Sequence, residues 1–352
     1  MIVSLYPHCL PVKGFNRSII CDLQECIYYF IPNDLYDLLV KHRLLDRKLL
    51  IEEYGGENSE AIDDYLLLLE KHDSVFELNK SDTLEFFPKL DLTFDEPSII
   101  DNAIVDTDNN LINLKKILPQ LEDLCCVAVL VRVLTSISFK ELKKLIDLFK
   151  TSVIQHLDII VSKNLLFDYK QFQSLFQENL RLNSITIFEC ERDEIDKINV
   201  ENFSNSTIGY VKRTTERFNP SGHCASITPK TFVLNIKHFS ESQHKNNCLN
   251  KKMSIDIDGN IKNCPSLATT YGNINKVSIV DIAALNDFKK LWLVKKDSIS
   301  VCRDCEFRYI CSDCRSHIED NNDVFSKPPN CDYDPYSGKW SDDPQKMSFR
   351  EA

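Results

Sequence analysis

The pattern of hydrophobic and polar positions predicts a small β-then-α segment over residues 1–95. Three short apolar runs, SLYPHCLPV, SIICDL and CIYYFI, are separated by turn residues and end at Pro32, which is typical of an antiparallel meander. Asn33 or Asp34 can cap the helix that follows, and Ser59 opens a second helix. The apolar positions that recur at helical spacing in these two segments are Leu35, Leu38, Leu39, Ile62, Tyr65, Leu66 and Leu69.

The middle of the chain, residues 96–240, alternates between apolar strands and amphipathic helices. The strands read SIIDNAIV, CCVAVLVRVL, HLDIIVS and NSITIFEC, and the helices between them read LINLKKILPQLEDL, SFKELKKLIDLFKTS and DYKQFQSLFQENL. Right-handed βα crossovers at this spacing, roughly 25 to 30 residues, build a parallel sheet or a partial barrel. We expect further strands near STIGYVK and KTFVLNIK. The fold class is therefore predicted to be α/β.

The third segment, residues 241–352, is rich in turns and cysteines. The run MSIDIDGNIKNC alternates apolar residues and turns at Asp258, Gly259 and Asn260, which predicts a β-hairpin. The rest lacks the apolar density of an independent core, so bonds to a metal are expected to supply the missing stability.

Composition indicates the class of protein, its cellular compartment and the partners that it disfavours. A hydrophobic fraction of 43% with 27% charged residues is typical of globular domains, and no apolar run approaches the ~20 residues of a membrane span. The first residues, MIVSLYPHCLPVKGFNRS, lack the pattern of a secretory signal, so we expect a cytoplasmic protein. A net charge of −11 disfavours nucleic acids and anionic membranes as partners. In a reducing compartment, 14 cysteines indicate metal binding rather than disulfides.

Seven cysteines near the C-terminus form a spaced set that predicts metal ligation. They are Cys248, Cys264, Cys302, Cys305, Cys311, Cys314 and Cys331. A CxxC pair lets two thiolates reach one metal from a single turn, and both zinc and iron-sulfur clusters accept such ligands. A zinc site using Cys302, Cys305, Cys311 and Cys314 leaves three thiols unexplained. Seven ligands therefore suit two clusters better, with structural zinc as the alternative.

The phrases NKKMSIDIDGNIKNCPS, YGNI and CEFRYICSDCR resemble the SPASM domain of peptide-maturing radical enzymes, and most of all the SPASM peptide maturase of grasp-with-spasm systems. The resemblance implies two [4Fe-4S] clusters. One would be held by Cys302, Cys305, Cys311 and Cys331. The other would be held by Cys248, Cys264 and Cys314 with a fourth ligand at Cys224 or His223, or with an open iron. One departure is the two-residue gap in CSDC, where the SPASM pattern usually has three residues.

A motif of the radical enzymes is missing from the chain. Radical S-adenosylmethionine enzymes carry CxxxCxxC after the first barrel strand, whereas the corresponding loop here reads VDTDNNLINLKK. The resemblance therefore implies a degenerate partial (β/α) barrel, and we expect no S-adenosylmethionine. Cys125 and Cys126 fall within a predicted strand, where neighbouring side chains point to opposite faces. We interpret both as small core residues.

The N-terminal run NRSIICDLQECIYYFIPNDLYDLL resembles PqqD-like peptide-recognition domains, which bind a leader peptide as an added strand. Cys21 and Cys26 flank a predicted turn and offer only two thiols, so we interpret them as structural. His156 is interpreted as a core or loop residue. His238 and His244 could support the metal ligands from behind or simply be solvated, and we favour solvation. Asp256 and Asp258 fit the hairpin turn better than an acid–base pair.

These observations lead to one leading hypothesis and two rivals. The leading hypothesis is a maturation protein for a ribosomally synthesised peptide: a PqqD-like domain (1–95), a degenerate barrel (96–240) and a SPASM domain (241–352). The resemblance implies a precursor peptide as ligand and an ATP-grasp ligase as partner. No phosphate-binding loop or other catalytic motif occurs here, so ATP binding by this chain itself is not indicated. The rivals are a redox enzyme with an open cluster iron and a zinc-stabilised adaptor.

Overall fold

The computed structural model describes residues 2–78, 85–108, 111–161, 168–201, 206–219 and 227–341. Its strands are β1 (Ile2–Leu5), β2 (Cys9–Val12), β3 (Ser18–Asp22), β4 (Ile27–Ile31), β5 (Leu45–Asp46), β6 (Val75–Glu77), β7 (Asn102–Thr107), β8 (Ala128–Val133), β9 (His156–Val161), β10 (Leu182–Ile187), β11 (Glu194–Glu201), β12 (Ser206–Arg213), β13 (Lys252–Ile255), β14 (Asn260–Lys262), β15 (Gly272–Asn273), β16 (Tyr333–Asp334) and β17 (Lys339–Trp340). Its α-helices are α1 (Asn33–Lys41), α2 (Arg47–Tyr54), α3 (Ser59–Lys71), α4 (Ile112–Asp123), α5 (Phe139–Asp147), α6 (Tyr169–Glu178), α7 (Ile236–His244), α8 (Ile279–Ala284) and α9 (Asn286–Lys289).

The chain divides into two compact units. The first unit comprises Met1–Asp95, Ala225–Asn247 and Val294–Ala352, and the second comprises Glu96–Cys224 and Cys248–Leu293. The expected segments 96–240 and 241–352 therefore each contribute residues to both units, and the three-domain division stays a prediction. None of the described helices is long and apolar enough to cross a bilayer.

The second unit is built on a nine-stranded mixed sheet with the order β11-β12-β10-β9-β8-β7-β13-β14-β15. The predicted parallel pairing of β7, β8, β9 and β10 is confirmed, and β12 and β13 extend it in parallel. Closing a sheet into a barrel requires its two outer strands to pair. Here β11 and β15 are the outer strands of an open sheet, so the strands described form no closed barrel.

The core of the second unit follows directly from the apolar strand pattern. Val105, Val131, Ile159 and Ile185 pair in a row across β7 to β10, and each is fully buried. The predicted helices α4, α5 and α6 supply the other side of this core with their apolar faces. Helices α5 and α6 each begin with a capping box, which satisfies backbone N–H groups at the first turn.

Two local predictions for the middle of the chain are wrong, and one strand was missed. Cys125 lies outside β8, has φ of +56° and is exposed, because it ends α4 in a left-handed turn. Its neighbour Cys126 is buried, as expected. The run KTFVLNIK is not a strand: a 3₁₀ turn occupies Pro229–Thr231, and Asn235 caps α7 by accepting from the His238 backbone N–H. Strand β11 was not predicted, although it pairs antiparallel with β12 along its whole length.

In the first unit, the predicted meander is confirmed for β2, β3 and β4, which form one antiparallel sheet. The run SLYPHCLPV does not form one strand, because a turn at Tyr6–Cys9 separates β1 from β2. Strand β1 pairs with β5 and β6 in another sheet. Neither Asn33 nor Asp34 caps α1, whose first turn follows Pro32. The Asn33 side chain instead accepts from the Ser18 hydroxyl at 2.6 Å. The start of α3 at Ser59 is confirmed.

Candidate metal centre

Five of the seven predicted ligands belong to the first unit: Cys302, Cys305, Cys311, Cys314 and Cys331. One loop carries Cys302, Cys305, Cys311 and Cys314 and begins with a 3₁₀ turn at Cys302–Asp304. Its residues Phe307 and Ile310 are buried in an apolar core of the first unit. Cys331 reaches this core from a later segment, which forms a parallel β-bridge with Ile227. No disulfide joins the cysteines that the structure describes.

The electrostatic environment shows that four of these thiols are neighbours. Burial raises the pKa of Cys311 to about 12; the nearby Lys296 ammonium acts in the opposite direction, whereas the proximity of Cys302 and Cys331 raises this pKa further. Burial likewise raises the pKa of Cys305, with Cys311 as the next contributor. A cation that binds several thiolates removes both penalties, so this arrangement fits a metal group. No three of the five sulfur atoms, all within the described residues, lie within 4.8 Å of one another.

A buried cation lies among these thiols. Lys296 is 3% exposed, and its Nζ is 3.5 Å from Asp313 Oδ1. Burial disfavours the ammonium, but Cys311, Cys302 and Asp313 together raise its pKa well above the usual value. Lys296 therefore brings a positive charge to the site of the predicted cluster.

Asp313 is held by a second cation and an amide. Arg315 makes two hydrogen bonds to the Asp313 carboxylate, at 2.6 and 2.7 Å, and also donates to the carbonyls of Val324 and Ser326. Asn246 donates to the same carboxylate at 2.6 Å. Burial opposes ionisation of Asp313, but Lys296 and Arg315 keep its pKa below the usual value. The buried Asp313 carboxylate is therefore compensated by two cations, Lys296 and Arg315, and by hydrogen bonds, as a buried charge requires.

The loop that carries Cys311 is fixed by helix α7 and the residues after it. Asn247 donates to the Cys311 carbonyl at 2.8 Å and accepts from the Asp313 backbone N–H at 3.0 Å. The ring of His238 bonds the Cys311 carbonyl and lies 3.2 Å from the Asn247 amide. Burial lowers the pKa of His238 to about 4. The interpretation of His238 as solvated is therefore wrong.

The same unit joins the cysteine loop to the connection between β2 and β3. Arg17 Nε lies 3.0 Å from Glu306 Oε1, and Glu306 is fully buried and also accepts from the Tyr333 hydroxyl. The Phe15 backbone N–H donates to the Asp304 carbonyl at 2.8 Å. Residues 1–95 and the cysteine loop thus share one core.

The other two predicted ligands, Cys248 and Cys264, belong to the second unit. Cys264 follows β14 and is 8% exposed in the apolar core, and Cys248 is half-buried against that core. Lys252 Nζ donates to Cys248 Sγ at 3.6 Å. Gly259, with φ of +84°, makes the turn of the β13–β14 hairpin, which confirms the predicted hairpin. The candidate fourth ligands Cys224 and His223 lie outside the described residues.

A buried ion pair lies at the end of β7. Asp106 and Arg132 stand opposite each other on β7 and β8 and form two hydrogen bonds of 2.6 and 2.7 Å. Both side chains are buried. Each of these two buried charges is therefore compensated by the other.

The remaining candidates have structural surroundings. His156 is exposed at the start of β9, and His244 bonds the Leu92 carbonyl from an exposed position. Asp256 accepts from the backbone N–H groups of Asp258 and Asn260, as expected for a hairpin turn. Cys21 is fully buried and Cys26 is exposed. Sequence reasoning missed Lys296, Asp313 and Arg315, whose only local signal is a set of charges near the cysteine pairs.

Residues 247–306 match the model of the SPASM iron-sulfur cluster-binding domain family. No curated protein matches the chain. Among solved structures, the crystal structure of Streptococcus suis SuiB is similar with 10% sequence identity and a TM-score of 0.37, over 94% of this chain and 100% of that chain. The matched span contains Cys248, Cys264, Cys302 and Cys305, so the chain carries an iron-sulfur cluster-binding domain of the SPASM type.

Proposed function

We propose that this chain is a cytoplasmic maturation protein for a ribosomally synthesised peptide. It binds the precursor, carries auxiliary iron-sulfur clusters and acts with an ATP-grasp ligase, as in grasp-with-spasm systems. The observation that carries the proposal is the match of residues 247–306 to the SPASM iron-sulfur domain, within an ordered set of seven cysteines. The peptide and the ligase come from the resemblance of the sequence to that family.

The cofactors are two [4Fe-4S] clusters. The match to an iron-sulfur cluster-binding domain supports this choice of metal. No three of the described sulfur atoms lie within 4.8 Å of one another, which suits a multi-iron cluster better than one zinc ion, whose tetrahedron has edges of about 3.7 Å. Anaerobically prepared protein should contain about eight irons and eight sulfides per chain. Stoichiometric zinc without sulfide would contradict this cofactor assignment and favour the zinc-stabilised adaptor.

The ligand groups are tested one at a time. Cys305→Ser should halve the iron content through the cluster of Cys302, Cys305, Cys311 and Cys331. Cys264→Ser should halve it through the other cluster, which also uses Cys248 and Cys314. Cys26→Ser is the matched control, because this exposed thiol belongs to neither group. Full iron content in the first two variants would contradict the grouping. Loss of iron from the second cluster in Cys224→Ser would identify Cys224 as its fourth ligand.

The first unit is proposed to bind the leader part of the precursor. Strand β4 is an outer strand of its sheet, and Ile27 on it is 49% exposed. Such an outer strand offers main-chain groups for an added peptide strand. In the same unit, at β2 rather than β4, a cleft of about 280 Å³ is lined by Leu10, Leu39 of α1 and Leu45, and it offers a place for apolar side chains.

Binding is tested with the full chain, because residues 1–95 share a core with Ala225–Asn247 and Val294–Ala352. Titration with the peptide encoded beside the protein should saturate at micromolar concentration, since ordering a flexible peptide costs ~2–5 kcal/mol. A scrambled peptide is the control. Ile27→Asp should weaken binding at unchanged iron content. Lack of saturation at millimolar peptide would contradict peptide recognition.

We further propose that residues 96–240 are a degenerate partial (β/α) barrel, open rather than closed, that does not use S-adenosylmethionine. The chain lacks CxxxCxxC, and a buried Asp106–Arg132 pair lies at the end of β7. The reduced protein should form no 5′-deoxyadenosine above a cofactor-free control.

The ligase partnership is tested by measuring crosslink formation with and without this chain. An unchanged rate would contradict it.

A further inference from the structure

A second set of metal-binding side chains lies in the first unit, at one end of the β2–β3 ladder. Cys9 begins β2 and pairs directly with Asp22, the last residue of β3, while His8 precedes Cys9. Cys9 Sγ is 3.8 Å from Asp22 Oδ2, and His8 Nε2 is 3.8 Å from Asp22 Oδ1. One ligand atom from each residue lies within 4.8 Å of the other two, the one such group among the described residues.

We propose that His8, Cys9 and Asp22 bind one zinc ion and that a water molecule completes its coordination. Zinc bonds of about 2.0–2.3 Å to nitrogen, oxygen and sulfur give a tetrahedron with edges of about 3.3–3.7 Å. The observed separations of 3.8 Å are only slightly longer than these edges. The two distances end on different oxygens of Asp22, and one ligand atom from each residue lies within 4.8 Å of the other two. Shifts of up to about 1 Å, the difference between 4.8 Å and an edge of about 3.7 Å, would therefore bring the three ligand atoms onto one ion.

The donor set selects the metal. An imidazole, a thiolate and a carboxylate together are typical zinc ligands, whereas calcium and magnesium require oxygen ligands. Three protein ligands leave one position open, as in zinc sites that hold a water. Zinc is therefore the ion that this set fits best.

Two of the three ligands are held in place before any metal binds. Asp22 Oδ1 accepts from the backbone N–H groups of Gln24 and Glu25, both at 2.9 Å, which fixes the carboxylate. The His8 ring stacks on Tyr6 with ring centroids 5.3 Å apart. Such outer contacts orient metal ligands and lower the cost of assembling them.

Charge also favours a divalent cation at this position. Cys9 is 2% exposed and Asp22 is 4% exposed. The Cys9 thiol lies beside the Asp22 carboxyl group, with Cys9 Sγ 3.8 Å from Asp22 Oδ2, so these two ligands are adjacent in a buried position. Zinc binding displaces the thiol proton to solvent and forms a zinc–sulfur bond. The two charges of the ion then balance one thiolate and one carboxylate, which leaves the buried site neutral.

The open position has access to solvent. His8 and Asp22 line a cleft of about 690 Å³, together with His72, Asp73 and Glu25. This cleft has room for the water ligand, and its carboxylates can accept hydrogen bonds from that water. The site is separate from the predicted cluster ligands and does not depend on the proposed function.

The test is metal analysis of the full chain with its clusters reconstituted. The protein is exposed to one equivalent of Zn²⁺, dialysed against metal-free buffer, and analysed for zinc, iron and sulfide. We expect one zinc per chain beside full iron. X-ray absorption at the zinc edge should show one sulfur ligand near 2.3 Å with lighter nitrogen and oxygen ligands.

Three variants separate this site from zinc bound elsewhere. His8→Ala and Cys9→Ser should each lose the zinc with iron and sulfide unchanged. Cys26→Ser, at an exposed thiol in the β3–β4 connection, should retain the zinc. His8 is 26% exposed in its side chain, so His8→Ala keeps the test valid if Cys9→Ser fails to fold. Zinc that survives His8→Ala, or wild-type protein with full iron and no zinc, would overturn the proposal.

Discussion

At the scale of single residues, the charges around the cysteine loop are the features with the clearest chemical consequence. Lys296 has an almost fully buried ammonium that faces Cys302 and Cys311 as well as Asp313. The reduction potential of an iron-sulfur cluster depends on the net charge around it and on hydrogen bonds to its sulfurs. A nearby positive charge stabilises the reduced, more negative cluster. Lys296 should therefore raise the potential of the cluster that Cys302 and Cys311 are proposed to hold.

We predict that Lys296→Met lowers that potential by on the order of tens of millivolts, because ~1.4 kcal/mol of lost stabilisation corresponds to about 60 mV for one electron. The measurement is a redox titration followed by electron paramagnetic resonance. Lys295→Met is the matched control, since this neighbouring side chain is 37% exposed and its charge is screened by solvent. Equal potentials in Lys296→Met and the wild type, at equal iron content, would contradict the prediction.

His238 makes stability depend on pH. Burial lowers its pKa from 6.5 to about 4, so the folded protein keeps the ring neutral while the unfolded chain binds a proton below pH 6.5. The stabilising contribution is thus present above pH 6.5 and is lost as pH falls towards 4.

We predict that the unfolding free energy contributed by His238 falls by roughly 1 kcal/mol between pH 6.5 and pH 5.5, because each pH unit between the two pKa values corresponds to at most ~1.4 kcal/mol. His238→Gln should remove that part of the pH dependence while it preserves hydrogen bonding. Thermal unfolding of both cluster-loaded proteins at several pH values from 7.5 to 5.5 provides the measurement. The exposed His156→Gln serves as control. Parallel curves for wild type and His238→Gln would show that His238 does not titrate in this way.

At the scale of elements, the β13–β14 hairpin depends on one glycine. Gly259 has φ of +84°, and a Cβ at this position would lie 2.9 Å from Ile274 Cγ1. Both the backbone conformation and the contact disfavour a side chain.

We predict that Gly259→Ala destabilises the protein by roughly 1–2 kcal/mol, measured by denaturant unfolding. Gly56→Ala is the matched control, because a Cβ there meets no atom within 4 Å. It should cost nothing or stabilise slightly. Equal effects of the two substitutions would mean that the turn does not constrain the hairpin.

Other elements show how far local pattern determines secondary structure. The strands β7 to β10 and the helices α4 to α6 follow from apolar periodicity, because each buries one face on the same core. KTFVLNIK has the β-prone composition of a strand, yet it becomes a 3₁₀ turn and the start of α7. Strand β11, which reads EIDKINVE, is an outer strand with many charges, and pairing with β12 rather than composition makes it a strand.

At the scale of the molecule, the first unit is held together by contacts between distant parts of the chain. Arg17 and Glu306 are 289 positions apart in sequence, and Glu306 has no exposed surface in its side chain. Removal of one partner from such a pair leaves a buried charge without compensation.

We predict that Arg17→Ala lowers the unfolding free energy by roughly 2–4 kcal/mol, in the lower part of the range for buried pairs because Arg17 is 32% exposed. Thermal unfolding of the cluster-loaded protein gives the measurement. The double variant Arg17→Ala/Glu306→Gln should recover part of the lost unfolding free energy, because the buried side chain at position 306 is then neutral. Arg303→Ala, at an arginine side chain 63% exposed, should change stability little. Equal losses in the two arginine variants would contradict a role for the buried pair.

The sequence by itself determined the local features of this protein: the strand and helix pattern of residues 96–190, the turn at Gly259 and the ordered cysteines that match a SPASM domain. These features depend on residues close together in the chain, so periodicity and spacing reveal them. Only the tertiary structure decided that the chain after Val294 shares a core with the first 95 residues. It also buried Lys296 beside the thiols and brought His8, Cys9 and Asp22 together. Such groupings depend on which distant segments pack together, and that follows from burial and pairing in three dimensions rather than from local pattern.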